Sequence, residues 1–129
     1  MTMTAMTNFA PNVERGDVVL LPIAFVGAPG SKVRPAVVVQ NDTLNAKLGS
    51  TIVAIVTSTN SRATVEPSQL FVDISQPGGS TTGLLHNSTV KCEHLDTVAR
   101  TDIVRVIGRF SDELMDRVDR CIQSALALM

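Results

Sequence analysis

The chain has 129 residues, which is enough for one domain that folds without disulfides or a structural metal ion. Its formal net charge is −1 at pH 7, and it has four Phe but no Trp or Tyr. Proteins that bind nucleic acid over a broad surface usually have a basic face or an aromatic platform. This composition excludes both as general features, so any contact with nucleic acid has to come from a local patch.

The distribution of apolar residues and the first residues of the chain indicate which class of protein it belongs to. No apolar run approaches the roughly 18 residues that a membrane-spanning helix needs. Residues 1–12 are predicted to be a disordered tail and residues 13–129 a single domain. The first eight residues contain no Lys or Arg and precede no sustained apolar segment, which is unlike a secretory signal.

Cysteines and histidines are sparse. Cys92 and Cys121 do not have the spacing of a metal site or the number of a disulfide framework, so we expect two buried small hydrophobic residues in a reducing cytoplasm. His86 and His94 do not form a metal-ligand pattern with other Cys or His residues. The sequence therefore predicts no metal and no cofactor.

Six short segments rich in aliphatic and β-branched residues have the length of strands. The predicted strands are Asp17–Ala24, Pro35–Gln40, Ile52–Ser58, Leu70–Ile74, Ser88–Leu95 and Ile103–Phe110. Between the first two, residues 26–33 contain three Gly and Pro residues and are predicted to be a flexible loop. Asn41 and Asp42 favour a turn after the second strand. A short helical turn is expected between Thr97 and Asp102, and the last strand is predicted to expose Arg105 and Arg109.

A C-terminal helix is predicted from Ser111, a good N-cap residue followed by two acidic residues that suit the positive helix end. Its apolar residues recur at spacings of three and four. They are Leu114, Met115, Val118, Ile122, Ala125, Leu126 and Met129. Six short strands and one terminal helix predict an α+β domain whose sheet curls toward a small barrel.

Several motifs, taken together and in this order, resemble the MazF/PemK family of toxin endoribonucleases. They are Arg15-Gly16-Asp17-Val18, Gly30-Ser31, Arg34-Pro35-Ala36-Val37-Val38-Val39, Gln40-Asn41-Asp42, Ile52 to Ser58, Glu93 to Val98 and Leu114 to Asp119. The resemblance covers nearly everything after Glu14. It implies an SH3-like barrel with a C-terminal α-helix, a homodimer, a cognate antitoxin as partner, and metal-independent cutting of single-stranded RNA that leaves a 2′,3′-cyclic phosphate.

The same resemblance assigns residues to this chemistry. Arg34 matches the family's catalytic arginine, and its guanidinium suits phosphate oxygens better than a lysine does. Thr57 matches the catalytic threonine. Lys91, Cys92 and Glu93 match a basic residue, a cysteine and an acidic residue that carry the acid and base roles in one branch of the family, with Lys91 more safely a phosphate contact. Ser31, Lys32, Ser58 and His94 are candidate RNA-binding residues.

Plainer interpretations of these residues stay open at this point. Thr57 and Ser58 stand where strand-end hydroxyls often cap loops. Lys91 and Glu93 have the spacing of an exposed ion pair on one face of a strand. A lone histidine such as His94 is more often structural than catalytic.

Two departures from the family pattern leave the activity open to alternatives. Residues 30–34 are shorter than the family's loop and lack its acidic residue, and Asp96 replaces an arginine. One alternative is a family member without catalysis that acts as an interaction module. The other is a gyrase-binding toxin of the CcdB type, although this chain lacks the aromatic C-terminal anchor of that class.

Overall fold

The computed structural model describes residues 11–58 and 66–128. Residues 1–10, which hold most of the predicted tail, and Met129 lie outside that range. The described chain folds as a six-stranded antiparallel sheet with a long C-terminal helix, which confirms the α+β class. The strands are β1 (Asp17–Ala24), β2 (Ser31–Val38), β3 (Ser50–Ser58), β4 (Gln69–Val72), β5 (Ser88–Ala99) and β6 (Arg105–Arg109). The helices are α1 (Asp42–Lys47), α2 (Pro77–Ser80), a 3-10 turn (Arg100–Asp102) and α3 (Asp112–Leu126).

The strands lie in the order β4-β5-β3-β2-β1-β6 and curl into a half-barrel. All of the predicted strands form, but several boundaries were wrong. The loop predicted for residues 26–33 ends at Gly30, because β1 offers a partner to each residue from Ser31 onward and the Phe25 amide closes the hairpin on the Gly30 carbonyl at 3.0 Å. The turn predicted at Asn41 begins helix α1 instead, since the Asn41 side chain caps the Leu44 amide at 2.8 Å.

Strand β5 departs most from the prediction. It continues to Ala99, so the expected helical turn is confined to Arg100–Asp102. Its pairing with β3 jumps from Ile55–Lys91 to Ala54–Leu95, which leaves Cys92, Glu93 and His94 as a bulge. A bulge bends its strand and re-aims side chains. The half of β5 before the bulge also pairs with β4, through Lys91–Gln69, Val90–Leu70, Thr89–Phe71 and Ser88–Val72.

Both sides of the sheet are packed. One side meets α3, where Leu114, Met115, Val118 and Cys121 are buried together with Cys92 of β5. This confirms the Ser111 cap and most of the predicted helix stripe, but Leu126 is 52% exposed because it stands at the last turn. The other side holds a second cluster built on alternate residues of β1, β2 and β3, including Leu21, Ala36, Val38, Val53 and Ile55.

Strand β6 is an edge strand with an irregular register. Arg105 and Arg109 are exposed, as predicted. Val104 and Val106 are exposed as well, at 60% and 40%, although strict alternation along a strand would set them on the side opposite the arginines. The pairing of β6 with β1 passes from Gly108–Val18 to Val106–Val19, which leaves Ile107 as the extra residue of a bulge in β6, and Ile107 packs against the core.

Candidate functional site

Arg34 and Thr57 lie on the same side of neighbouring strands. Successive side chains of a strand alternate between its two sides. Arg34 therefore shares a side with Ala36, and Thr57 with Ile55, which belong to the same buried cluster. Ala36 of β2 pairs with Ile55 of β3. The strands are antiparallel, so the residue two positions before Ala36 lies across from the residue two positions after Ile55. Arg34 therefore lies across from Thr57.

The next strand brings Lys91 to this side. Thr57 of β3 pairs with Thr89 of β5, and Ile55 pairs with Lys91. Lys91 therefore lies on the neighbouring strand β5, two residues beyond the direct partner of Thr57. With strands about 5 Å apart and residues about 3.3 Å apart along them, this is within reach of one bound phosphodiester. Arg34, Thr57 and Lys91 are all half-buried, so part of each side chain faces solvent.

Glu93 projects from the β5 bulge toward β4. Its carboxylate accepts a hydrogen bond from Gln69 Nε2 at 2.6 Å and from Ser68 Oγ at 3.1 Å. Because Gln69 is the β4 partner of Lys91, Glu93 and Lys91 share a neighbour. Partial burial raises the pKa of Glu93, but these hydrogen bonds and the positive charge of Lys91 outweigh it and hold the pKa below its ordinary value. The carboxylate is therefore kept ionised.

Cys92 is directed away from this group, as predicted. Its side chain is fully buried against α3, and burial, with Cys121 beside it, raises its pKa to about 12. A thiol with so high a pKa is a poor nucleophile. Both cysteines are buried and unpaired, which confirms their predicted role as core residues.

A cleft of about 450 Å³ opens on the other side of the sheet, at the same end of β2 and β3. Arg34, Lys32 and Ser58 border it, whereas Thr57, Lys91 and Glu93 lie outside its walls. Arg34 thus belongs both to the group that contains Thr57 and Lys91 and to the border of this cleft. Sequence reasoning did not assign His86 or Arg105 to a site, yet both line this cleft.

Of the remaining predicted residues, Ser31 lies apart from these groups and His94 lies beside one of them. Ser31 is exposed at the first position of β2 and pairs with Ala24. His94 is half-buried in the β5 bulge next to Glu93. Ser68 and Gln69 were missed, because only the β4–β5 pairing brings them to a residue that is 24 or 25 positions away.

Two further properties concern only residues 11–58 and 66–128. They contain no group of three or more His, Cys, Asp or Glu side chains that could hold a metal ion. None of their helices combines the length and apolar character that crossing a membrane requires.

A family model for the PemK-like, MazF-like toxins of type II toxin–antitoxin systems matches residues 14–126 of the chain. The chain belongs to this family. Endoribonuclease EndoA of Bacillus subtilis is 31% identical to it over 118 residues, which are 91% of this chain and 97% of that protein.

Solved structures share the fold. An endoribonuclease from a mycobacterial species has a TM-score of 0.70 at 17% identity, covering 93% of this chain and 96% of that one. A second structure, of an endoribonuclease from a mycobacterial species in complex with its cognate antitoxin, has a TM-score of 0.69 at 17% identity, covering 91% of this chain and 97% of that one. These likenesses confirm the predicted curled, barrel-like sheet with its C-terminal helix, which closes only as a half-barrel.

Proposed function

We propose that this toxin is a sequence-specific endoribonuclease that cuts single-stranded RNA at the side of the sheet formed by Arg34, Thr57 and Lys91. The observation that supports it best is the placement of these three side chains on one side of the adjacent strands β2, β3 and β5. Two of them are cationic and one is a hydroxyl. This is a suitable set for holding a phosphodiester by charge and by a directed hydrogen bond.

The reaction uses the substrate's own 2′-hydroxyl. Its oxygen attacks the adjacent phosphorus and forms a new O2′–P bond while the P–O5′ bond breaks. The products are a 2′,3′-cyclic phosphate and a free 5′-hydroxyl. The 2′-hydroxyl gives up a proton to a base of the site, and the leaving 5′-oxygen takes one from solvent. No electrons are transferred, and no metal or cofactor is required.

Each side chain has a role that its position suits. Arg34 offers the planar fork of its guanidinium to the phosphate and neutralises the charge that grows on the phosphorane oxygens. Thr57 lies between Arg34 and Lys91 and hydrogen-bonds the scissile phosphate or the attacking hydroxyl. Lys91 contacts the phosphate, and Glu93, kept ionised by Gln69 and Ser68, accepts the proton.

The proposed partners follow from the same assignment. The substrate is single-stranded RNA such as mRNA, and Ser31, Lys32, Ser58 and His94 are proposed to contact it. A cognate antitoxin blocks the site, the active form is a homodimer, and the protein acts in the cytoplasm. A solved relative in complex with its cognate antitoxin supports the second of these partners.

Cleavage of a long single-stranded RNA in EDTA tests the proposal. The wild type is compared with Arg34→Ala and Thr57→Ala, and the 5′ and 3′ ends of the fragments are mapped. Arg120→Ala and Thr43→Ala, both exposed and remote from the site, are the matched controls. We expect cyclic-phosphate ends from the wild type and the controls only. Undiminished cleavage by both site variants would remove Arg34 and Thr57 from the reaction, and no cleavage by the wild type would remove the activity.

A further inference from the structure

Phe71 of strand β4 lies in the same row of the sheet as the proposed reaction site. It pairs with Thr89 of β5, and Thr89 pairs with Thr57 of β3. Directly paired residues of a sheet project to the same side. Phe71 therefore projects to the side that carries Thr57, and two strand spacings, about 10 Å, separate these two residues.

The burial pattern of β4 agrees with this direction. Leu70 and Val72, the neighbours of Phe71 in the chain, are buried in the cluster that packs on α3. Gln69 and Phe71 are only half-buried and belong to the other side of the strand, where Gln69 pairs with Lys91. Among the described strands β4 is the last of the sheet on this flank, so Phe71 stands at a sheet edge.

An aromatic side chain at this place is unusual for the chain. It has four Phe and no Trp or Tyr, and Phe71 is the one Phe within the strands that the structure describes. Phe110 is 1% exposed in the core, and Phe25 lies in the β1–β2 hairpin. A base of any kind stacks on an aromatic ring, because every base has a π-face. Phe71 is thus the aromatic ring that the sheet offers to a base.

A cation stands beside Phe71. Lys91 is the β5 partner of Gln69, which is two residues from Phe71 along β4, so Lys91 and Phe71 are diagonal neighbours on one side of the strand pair. Such neighbours are about 7–8 Å apart, a distance that aromatic and long side chains span. A phosphate bound by Lys91 therefore leaves a base of the same strand within reach of Phe71. Proteins bind single strands through this combination of a cation for the backbone and a ring for the base.

Beyond Phe71 the surface continues into a groove of about 640 Å³. Phe71 lines it together with Gln76, Pro77 and Arg117, and it shares no lining residue with the cleft beside Arg34. Gln76 is exposed, and its side chain does not cap helix α2. An amide both donates and accepts hydrogen bonds, which suits the edge of a base.

We propose that Phe71 stacks on a base of the single-stranded RNA, so that the RNA crosses the sheet from Thr57 past Lys91 to the groove at β4. The inference rests on the proposed function, which places the scissile phosphate at Thr57. It adds a substrate-binding residue two strands from the reaction, at the opposite flank of the site from Arg34. Because stacking tolerates any base, Phe71 contributes affinity and not sequence preference.

A thermodynamic cycle between Phe71 and single bases tests the contact. The RNA is the eight-nucleotide strand that the wild type binds most tightly in a random pool, with every 2′-hydroxyl replaced by fluorine so that it cannot be cut. One base is removed at each position in turn. We expect removal at one position, and Phe71→Leu with the intact RNA, each to weaken binding about tenfold. In Phe71→Leu, removal of that same base should have little further effect, and Phe71→Tyr, which keeps the ring, should bind like the wild type.

A second measurement does not depend on the stability of Phe71→Leu. The chain has no Trp, so Phe71→Trp introduces a single indole. Its fluorescence should fall when the RNA binds, and the fall should disappear when the stacked base is removed. Leu48→Trp is the matched control, since Leu48 is 42% exposed and precedes β3 at the end remote from Thr57. Its fluorescence should stay constant on RNA binding.

The outcomes separate this inference from the proposed function. RNA cleavage that depends on Arg34 and Thr57, together with additive losses in the cycle and no change in Phe71→Trp fluorescence, would overturn the inference and leave the reaction standing. Binding coupled to one base by a wild type that cuts no RNA would keep the stacking contact and remove the reaction. If Phe71→Leu turns a dimer into a monomer in light scattering and shows no coupling to any base, this edge is an interface between copies and the inference is overturned.

Discussion

Gln69 and Glu93 are joined by a 2.6 Å hydrogen bond from the side-chain amide to the carboxylate, although 24 residues separate them in the chain. The contact exists because β5 bulges at Glu93 while its preceding residues pair with β4. It fixes the direction of the carboxylate and favours its ionised form. Gln69 is therefore a positioning residue for the proposed base.

Gln69→Ala is expected to shift the pH dependence of cleavage. The folded-state pKa of Glu93 is depressed, so a base at this position works above that pKa and is lost as the pH falls through it. Removing the Gln69 donor raises the pKa, and the acidic limb of the kcat/KM profile moves to higher pH. Gln123→Ala, exposed on α3, is the control. An acidic limb at the same pH in Gln69→Ala and the wild type contradicts the role of Glu93 as base.

Substitutions of Arg34 and Thr57 are expected to show whether the cleavage rate depends on the charge of a side chain or on the direction of its hydrogen bonds. Arg34→Ala should lower kcat by about 10²–10³, the usual effect of removing one transition-state donor. Arg34→Lys keeps the charge but loses the planar fork, so it should recover only part of the rate. Thr57→Val should lower kcat about tenfold, as for one neutral hydrogen bond, and Thr57→Ser should stay near the wild type.

Single-turnover kinetics on one RNA measure this series. Circular dichroism of each variant controls for folding, because both residues border the buried cluster that contains Ala36 and Ile55. Full activity of Arg34→Lys would show that charge alone matters. Equal losses in Thr57→Val and Thr57→Ser would assign Thr57 a packing role in place of a hydroxyl contact.

Cys92 and Cys121 are expected to resist alkylation in the native protein. Burial raises the pKa of Cys92 to about 12 and raises that of Cys121. At pH 8 a thiol of pKa 12 is ionised in roughly one molecule in 10⁴, and the thiolate is the reactive form. Mass spectrometry after one hour in iodoacetamide should find both thiols free, and both should be modified in guanidinium chloride. Native modification at the rate of free cysteine would contradict their burial.

Sequence patterns predicted the strands better than their pairing. The apolar runs in β2 and β3 have the length and the β-branched residues of strands, so both strands could be predicted from the chain itself. The β5 bulge was not visible, because it depends on β5 pairing with β3 on one side and β4 on the other. Helix α1 was not predicted, because a six-residue helix has too few turns to show a period and its cap residue Asn41 also favours a turn.

The residues of the candidate site likewise fall into those that the sequence predicted and those that it did not. Arg34, Thr57, Lys91 and Glu93 were named from family motifs, and alternation along strands placed Lys91 and Glu93 together. Ser68, Gln69, His86 and Arg105 carry no local pattern that marks them. They reach the site or the cleft only through contacts between distant parts of the chain.

Asn45 is expected to be a stability residue rather than a functional one. Its side chain is buried at the base of α1, where Oδ1 accepts from Gln40 Nε2 at 2.9 Å and from Thr51 Oγ1 at 2.7 Å, and Nδ2 donates to the Gln40 carbonyl at 2.9 Å. Asn45→Ala leaves the buried groups of Gln40 and Thr51 short of partners, which costs about 2–3 kcal/mol of the free energy of unfolding.

Urea unfolding of Asn45→Ala and of Thr43→Ala measures that difference. Thr43 lies in the same helix but is exposed, so its variant should differ from the wild type by less than about 0.5 kcal/mol. Because Asn45 is remote from Arg34 and Thr57 in the sheet, RNA cleavage by Asn45→Ala well below its melting temperature should equal that of the wild type. A free energy of unfolding equal in the two variants would mean that the buried network of Gln40, Asn45 and Thr51 contributes no net stability.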